Sequence, residues 1–263
     1  MKANMACSCV ELNDLPDEIF LIIFKKLDNF DILNSFHGVK NIRLNKIIHD
    51  SIFTSDLNFV KWSSNKFFNK LSSNVMLNRF CLQILPAISI KIKWLYLESS
   101  SAENILRAAD YPSLYGLGLY NIKEKTARRL FNERVTHNFT RDITRINCAK
   151  LSLINHQSRK HKQSYKSIND NYNSTIVKYN YLITLDIETV HDDYIEEFLF
   201  NTKTYFHNNI VLYINYKSLE RVTHNFTRDI TRINCAKVNE IFLVGEKIYS
   251  NSLRDYFPCA IIH

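Results

Sequence analysis

Beyond residue 90, six short runs carry paired aliphatic residues two positions apart: Leu95/Leu97, Leu117/Leu119, Leu151/Leu153, Leu185/Ile187, Leu212/Ile214 and Ile241/Leu243. Alternation with period two is what a strand buried on one face requires, because successive side chains point to opposite sides. Three positions before each pair stands a further apolar residue, Ile92, Leu114, Cys148, Leu182 and Val238, with Asn209 as the exception. The pairs recur at intervals of 22, 34, 34, 27 and 29 residues. Each interval has room for one strand and a helical connection. A unit of that size cannot bury its own apolar face, so the runs predict neighbouring units stacked on a shared core.

The spacers agree. Residues 102–109 (AENILRAA), 123–132 (KEKTARRLFN) and 192–201 (DDYIEEFLFN) read as helices. The Leu-x-x-Leu-x-Leu skeleton resembles the leucine-rich repeat, a resemblance that implies an irregular solenoid of parallel strands taken in chain order. The Asn or Cys that the family places after the strand is missing from most units. A generic α/β domain is the alternative.

The other dense run of signals is residues 14–50, DLPDEIFLIIFKKLDNFDILNSFHGVKNIRLNKIIHD. Pro16 suits a helix start, and Asp14, Asp17 and Glu18 place negative charge at its positive end. Ile19, Ile22, Ile23, Lys26 and Leu27 share one face, while Phe20, Leu21 and Phe24 make the other side apolar too. A second helix is expected from Phe30 to Phe36, stopped by His37-Gly38, and a third from about Asn41 to Ile48. A helical trio of fewer than about 40 residues is too small to hide that much apolar surface. The surplus must meet the rest of the chain or another protein.

The residues Leu15, Pro16, Glu18, Ile19, Ile22, Ile23, Leu27, Asp28, Asp31, Leu33, Val39 and Lys40 resemble the F-box pattern, across about 45 of 263 residues. The family's aromatic after the Lys is replaced by Ile42, Arg43 and Leu44. The resemblance implies docking on a Skp-type adaptor, and through it on a cullin, by Leu15, Pro16, Ile19, Ile22, Ile23, Leu27 and Leu33. Together the two resemblances imply an α/β protein, an N-terminal three-helix F-box followed by an irregular leucine-rich-repeat-like solenoid. The function implied is that of a substrate receptor of an SCF-type ubiquitin ligase, with an unknown protein substrate held by the repeats. The alternative is a non-catalytic repeat scaffold, or a basic nucleic-acid-binding protein, whose N-terminal helices only cap the repeats.

On this plan residues 1–10 form a disordered N-terminus, 11–58 the F-box, 59–90 a helical linker and 91–263 the repeat-like domain, with a polar insertion at 155–175. Within the linker a helix is expected over residues 73–85, ended by Pro86.

Net charge is +8 with a pI near 9.1, yet the basic residues are spread along the chain. Their local concentration at residues 156–166 (HQSRKHKQSYK) has no accompanying nucleic-acid signature and reads as a solvated loop. No apolar run reaches the length of a membrane span and no secretory signal is visible, so an intracellular protein, cytoplasmic or nuclear, is expected. The cysteine spacing gives no metal-site pairs. With four glycines, phosphate-binding loops are not expected, and no nucleophile elbow or zinc-protease motif is present. His191, Asp192, Asp193, Glu196 and Glu197 read as the exposed face and first turn of a helix. No cofactor, metal or catalytic residue is therefore assigned.

Residues 133–150 and 220–237 are the same 18 residues, ERVTHNFTRDITRINCAK. The first copy ends directly before Leu151 and the second ends four residues before Ile241, so one peptide must fit two registers. Ile230, Ile233 and Cys235 offer an additional strand frame there.

Overall fold

The computed structural model describes residues 15–60, 74–122, 126, 148–155, 176–207, 209–245 and 251–263. The polar residues 156–175, the expected helix at 123–132 apart from Thr126, residues 1–14 and all but the last three residues of the first 18-residue copy lie outside them.

An eight-stranded, wholly parallel sheet organises the chain: β1 (Asp56–Asn58), β2 (Trp94–Glu98), β3 (Gly116–Tyr120), β4 (Lys150–Asn155), β6 (Thr184–Val190), β8 (Ile210–Asn215), β9 (Val238–Val244) and β10 (Ile261–Ile262). They lie side by side in chain order. β5 (Val177–Tyr179) and β7 (Thr204–Phe206) form a separate parallel pair. Parallel neighbours need connections that return the chain to the same end of the sheet, and the long intervals supply them.

The register gives the sheet its core. Leu57, Leu95, Leu117, Leu151, Leu185, Leu212, Ile241 and Ile262 are cross-strand partners in one unbroken row. All but the terminal Ile262 are buried, as are Leu97, Leu119, Leu153, Ile187, Ile214 and Leu243 two positions on. Burying each such side chain contributes roughly 1.5–3 kcal/mol. Ile92, Leu114, Cys148, Leu182 and Val238 are buried too. At the exception, Asn209 is exposed and the next residue, Ile210, turns inward.

Three helices come first among the described residues: α1 (Asp17–Phe24), α2 (Asn29–Phe36) and α3 (Ile42–Ile48), followed by a single turn, α4 (Ser51–Thr54). Asp28 caps α2 by accepting from the Phe30 amide, and Asn41 caps α3 by accepting from the Leu44 amide. Gly38, with φ of +80°, makes the left-handed exit from α2. Phe20, Phe24, Ile32, Leu44, Ile47, Ile48 and Phe53 form a small core of their own.

The opposite side of α2 belongs to the main core. Phe30 and Leu33 pack there with Leu57, Phe59, Leu77 and Phe80, and the Phe30 and Phe80 rings lie 4.9 Å apart. Strand β1 thus falls inside the segment assigned to the F-box, and Leu77, Phe80, Ile84, Leu85 and Ile88 of the expected linker are packed into the main core. The three-residue strand escaped the pattern because Asp-Leu-Asn holds only one aliphatic residue.

The helix after residue 73 does not stop at Pro86. α5 (Asn74–Arg79) widens into a π turn (Phe80–Ile84), and α6 (Leu85–Ile88) continues from it. The Leu85 amide donates five residues back, to Phe80. Pro86 then falls at the start of a fresh helical turn, where a missing N–H costs little.

α7 (Ser99–Ala108), α8 (Asp192–Leu199), α9 (Tyr216–Val222), α10 (Asp229–Cys235) and α11 (Asn251–Tyr256) connect the later strands. The second 18-residue copy runs from within α9 through α10, so Ile230, Ile233 and Cys235 are helical rather than a strand. Between these helices His224, Asn225 and Phe226 are all left-handed, with φ of 51°, 55° and 63°. The Thr223 hydroxyl accepts from the Phe226 amide, and Phe226 is buried against Tyr216 and Tyr256. Burial of that ring holds a turn that its backbone alone would not choose. In the first copy Cys148 lies three residues before the leucine row; in the second, Cys235 lies six before it, and Val238 takes the position Cys148 holds.

His37 and His49 tie α2 to α3, with Nδ1 of one 3.1 Å from Nε2 of the other. Their carbonyls accept from Arg79 and Lys91 respectively. Burial lowers both imidazole pKa values; His49 and Arg79 lower that of His37 further, and Lys91 that of His49. A depressed histidine pKa means that the unfolded chain binds more protons, so stability falls as pH drops below about 6.5. Thermal unfolding is expected to shift downward between pH 7 and 5.5, and His37→Asn with His49→Asn to flatten that dependence.

Candidate functional site

α1 is apolar on two sides, and the fold uses one of them. Phe20 and Phe24 face the small core, whereas Ile19, Ile22 and Ile23 face solvent, Ile22 being 56% exposed. Leu27 beyond the helix is exposed as well, Pro16 is exposed and Leu15 is half-buried. Arg43 fixes this entry: it pairs with Asp17, donates to the Leu15 carbonyl and sits 5.3 Å from the centre of the Phe20 ring. Its neighbour Ile42 is 89% exposed. A bare aliphatic surface of this kind is what a protein contact would cover.

One assigned residue does not belong there. Leu33 is wholly buried in the main core, because α2 turns that side toward β1 and α5. It supports the bundle and offers nothing to an outside partner.

The second surface is the face of the sheet opposite the leucine row. Its upper row runs Asn58, Tyr96, Gly118, Ser152, Asp186, Tyr213 and Phe242 in cross-strand register, and its lower row begins Asp56, Trp94, Gly116, Lys150 and Thr184. Apart from the exposed Asp56 and the two glycines, these side chains are half-buried. Trp94 and Tyr96 are parallel within 7°, with centroids 6.4 Å apart. They lean over β3: a Cβ at Gly116 would lie 2.2 Å from the Trp94 ring, and one at Gly118 would lie 2.6 Å from the Tyr96 ring. The two glycines thus make the room in which the rings lie. Tyr115 meets Trp94 edge-on at 5.2 Å, and Tyr120 lies 6.4 Å from Tyr96.

Between the ends of the face Ser152 donates to Asp186 at 3.2 Å. Tyr213, Phe242 and His263 stack as a ladder, with centroids 4.6 and 4.3 Å apart. Period two marks the buried half of each strand and says nothing of the other half; the signal for this face is Trp94-x-Tyr96 opposite Gly116-x-Gly118. Gly116→Ala is expected to displace the Trp94 ring and destabilise by about 1–3 kcal/mol. Trp94 emission in a Trp62→Phe background, with a denaturation curve, checks both.

The acidic cluster on α8 is occupied by ion pairs. Asp192 takes the fork of Arg221 at 2.8 and 2.9 Å, Glu196 pairs with Arg228 at 3.0 Å and Glu197 with Lys203 at 2.9 Å. Burial pushes the Asp192 carboxyl up, but Arg221 outweighs it and holds the pKa below the usual value. His191 caps the helix by accepting from the Asp193 amide. Among the described residues no group of three or more His, Cys, Asp or Glu is placed to hold a metal, and no helix is long and apolar enough to cross a membrane.

Comparison with protein-family models, with curated proteins and with solved structures gives no match.

Proposed function

We propose that this chain is the substrate-recognition subunit of an SCF-type cullin–RING ubiquitin ligase. In this reading α1, α2 and α3 are an F-box that docks on a Skp-type adaptor. The strands taken in chain order are an irregular leucine-rich-repeat-like array that holds the target protein. The observation that carries the reading is the aliphatic face of α1, Ile19, Ile22 and Ile23 with Leu27, left exposed beside Pro16 by a fold that covers Phe20 and Phe24. The unbroken leucine row supports the second half. Such a receptor does no chemistry; it holds a nucleophile near a reactive thioester made elsewhere in the complex, which raises effective concentration.

A capping role for the same helices has its own support, since Phe30 and Leu33 of α2 cover the first edge of the sheet. The two roles use opposite sides of the bundle and are compatible. If capping were the whole role, the chain would bind no adaptor, and as a basic nucleic-acid binder it would show salt-dependent retention.

Co-expression with a Skp-type adaptor tests the proposal. The wild-type chain is expected to co-purify with the adaptor, and the Leu15→Ala, Pro16→Ala chain to lose it while remaining folded. Equal recovery from both chains contradicts the assignment.

A further inference from the structure

We infer that the sheet face spanning β1 to β6 binds a basic segment of a partner protein, its Arg or Lys side chains seated against Trp94, Tyr96 and Tyr120 and paired with Asp56 and Asp186. As the description of a ubiquitination target this rests on the receptor reading; as a binding surface it does not.

Charge comes first. The chain as a whole carries +8, so its average surface repels a polycation. This face reverses the sign. From Asn58 to Phe242 the upper row contains an acid, Asp186, and no base. The lower row opens on Asp56, with Lys150 entering at its far side. Partial desolvation first, and then Asp28, raises the pKa of the surface-exposed Asp56, so two acids act at that end. Binding of a cation here would therefore be local to the patch.

The rings supply the second half of the site. Cations are drawn to the faces of tryptophan and tyrosine, and a carboxylate near the ring adds its own Coulomb attraction. Burial raises the pKa of Tyr96, with Asp56 as the next cause, and that of Tyr120, with Asp186 as the next, so the field of a carboxylate acts at each ring. Taken strand by strand across the sheet, Asp56 of the lower row, Tyr96 of the upper row, Tyr120 one row above it and Asp186 of the upper row run acid, ring, ring, acid. Their four inter-strand steps span roughly 19 Å, the length of about six extended residues. A phosphate backbone would meet the same carboxylates as repulsion.

The test is fluorescence anisotropy of a labelled nona-arginine peptide titrated with the full chain at near-physiological salt. Saturable binding is expected, with none for a labelled nona-glutamate. Asp56→Asn together with Asp186→Asn is expected to weaken binding about tenfold, and Tyr96→Leu about threefold. These changes lie on a half-open face, and a thermal midpoint close to wild type verifies the fold. No binding of nona-arginine at millimolar protein, equal binding by the double variant, or preference for an oligonucleotide overturns the inference. Adaptor capture is measured on the same preparations. Capture without peptide binding removes this inference alone, and peptide binding without capture removes the receptor reading alone.

Discussion

Replacing Asn234 by Ala is expected to destabilise the protein by about 3 kcal/mol. Asn234 is wholly buried on α10, and its Nδ2 reaches the carbonyls of Phe198, Leu199 and Thr204 at 3.1, 3.3 and 2.8 Å. Phe198 and Leu199 lie in the last turn of α8, where carbonyls have no partner within the helix. One amide group therefore closes the end of α8 and anchors the start of β7 from another element. The amide shares two hydrogens among the three carbonyls, so alanine removes about two buried bonds, at roughly 1–3 kcal/mol each when nothing replaces them. For a chain of this size the thermal midpoint should fall by about 6–12 °C. Asn234→Asp tests the cause: it keeps the shape, removes the donor and should be at least as damaging. A midpoint unchanged by both variants would mean that these bonds contribute nothing net.

The second large effect separates docking from support. Ile22→Asp with Ile23→Asp places two charges on the exposed side of α1, so stability is expected to stay within about 0.5 kcal/mol of wild type. Adaptor binding should fall by about a hundredfold or more, since charge in the centre of an apolar contact is left without water or a partner. Leu33→Ala is expected to do the reverse, costing about 2–5 kcal/mol of stability because it opens a cavity beside Phe30, Leu57 and Phe80. Its remaining folded fraction should still bind.

What could be read in advance follows the reach of each signal. Burial on one face imposes period two on the longer strands, so the six aliphatic pairs are visible; turn and helix-start residues place α2 and α3 within a residue of their positions, whereas α1 stops at Phe24, short of the Lys26 and Leu27 that its apolar face predicts. β1 is three residues long and was invisible to a periodicity argument. Pro86 reads as a stop by propensity, which carries no sign of the π turn that resets the helix before it. The paired strands Val177–Tyr179 and Thr204–Phe206 each hold too few residues to show a period. Leu33 departs from expectation for a different reason: pattern marks it apolar, but which side of α2 meets the sheet is decided by Phe59 and Phe80, farther along the chain. The open face was spelled out in Trp94, Tyr96, Gly116 and Gly118, yet only the register of β2 against β3 shows that each ring lies over a glycine.

The most direct test of the central claim is a calorimetric titration of the purified chain with a Skp-type adaptor. The account predicts a saturable one-to-one complex for the wild-type chain and about a hundredfold weaker binding for Ile22→Asp, Ile23→Asp at unchanged thermal stability. No heat of binding for the wild-type chain, or equal affinity for both, would contradict it.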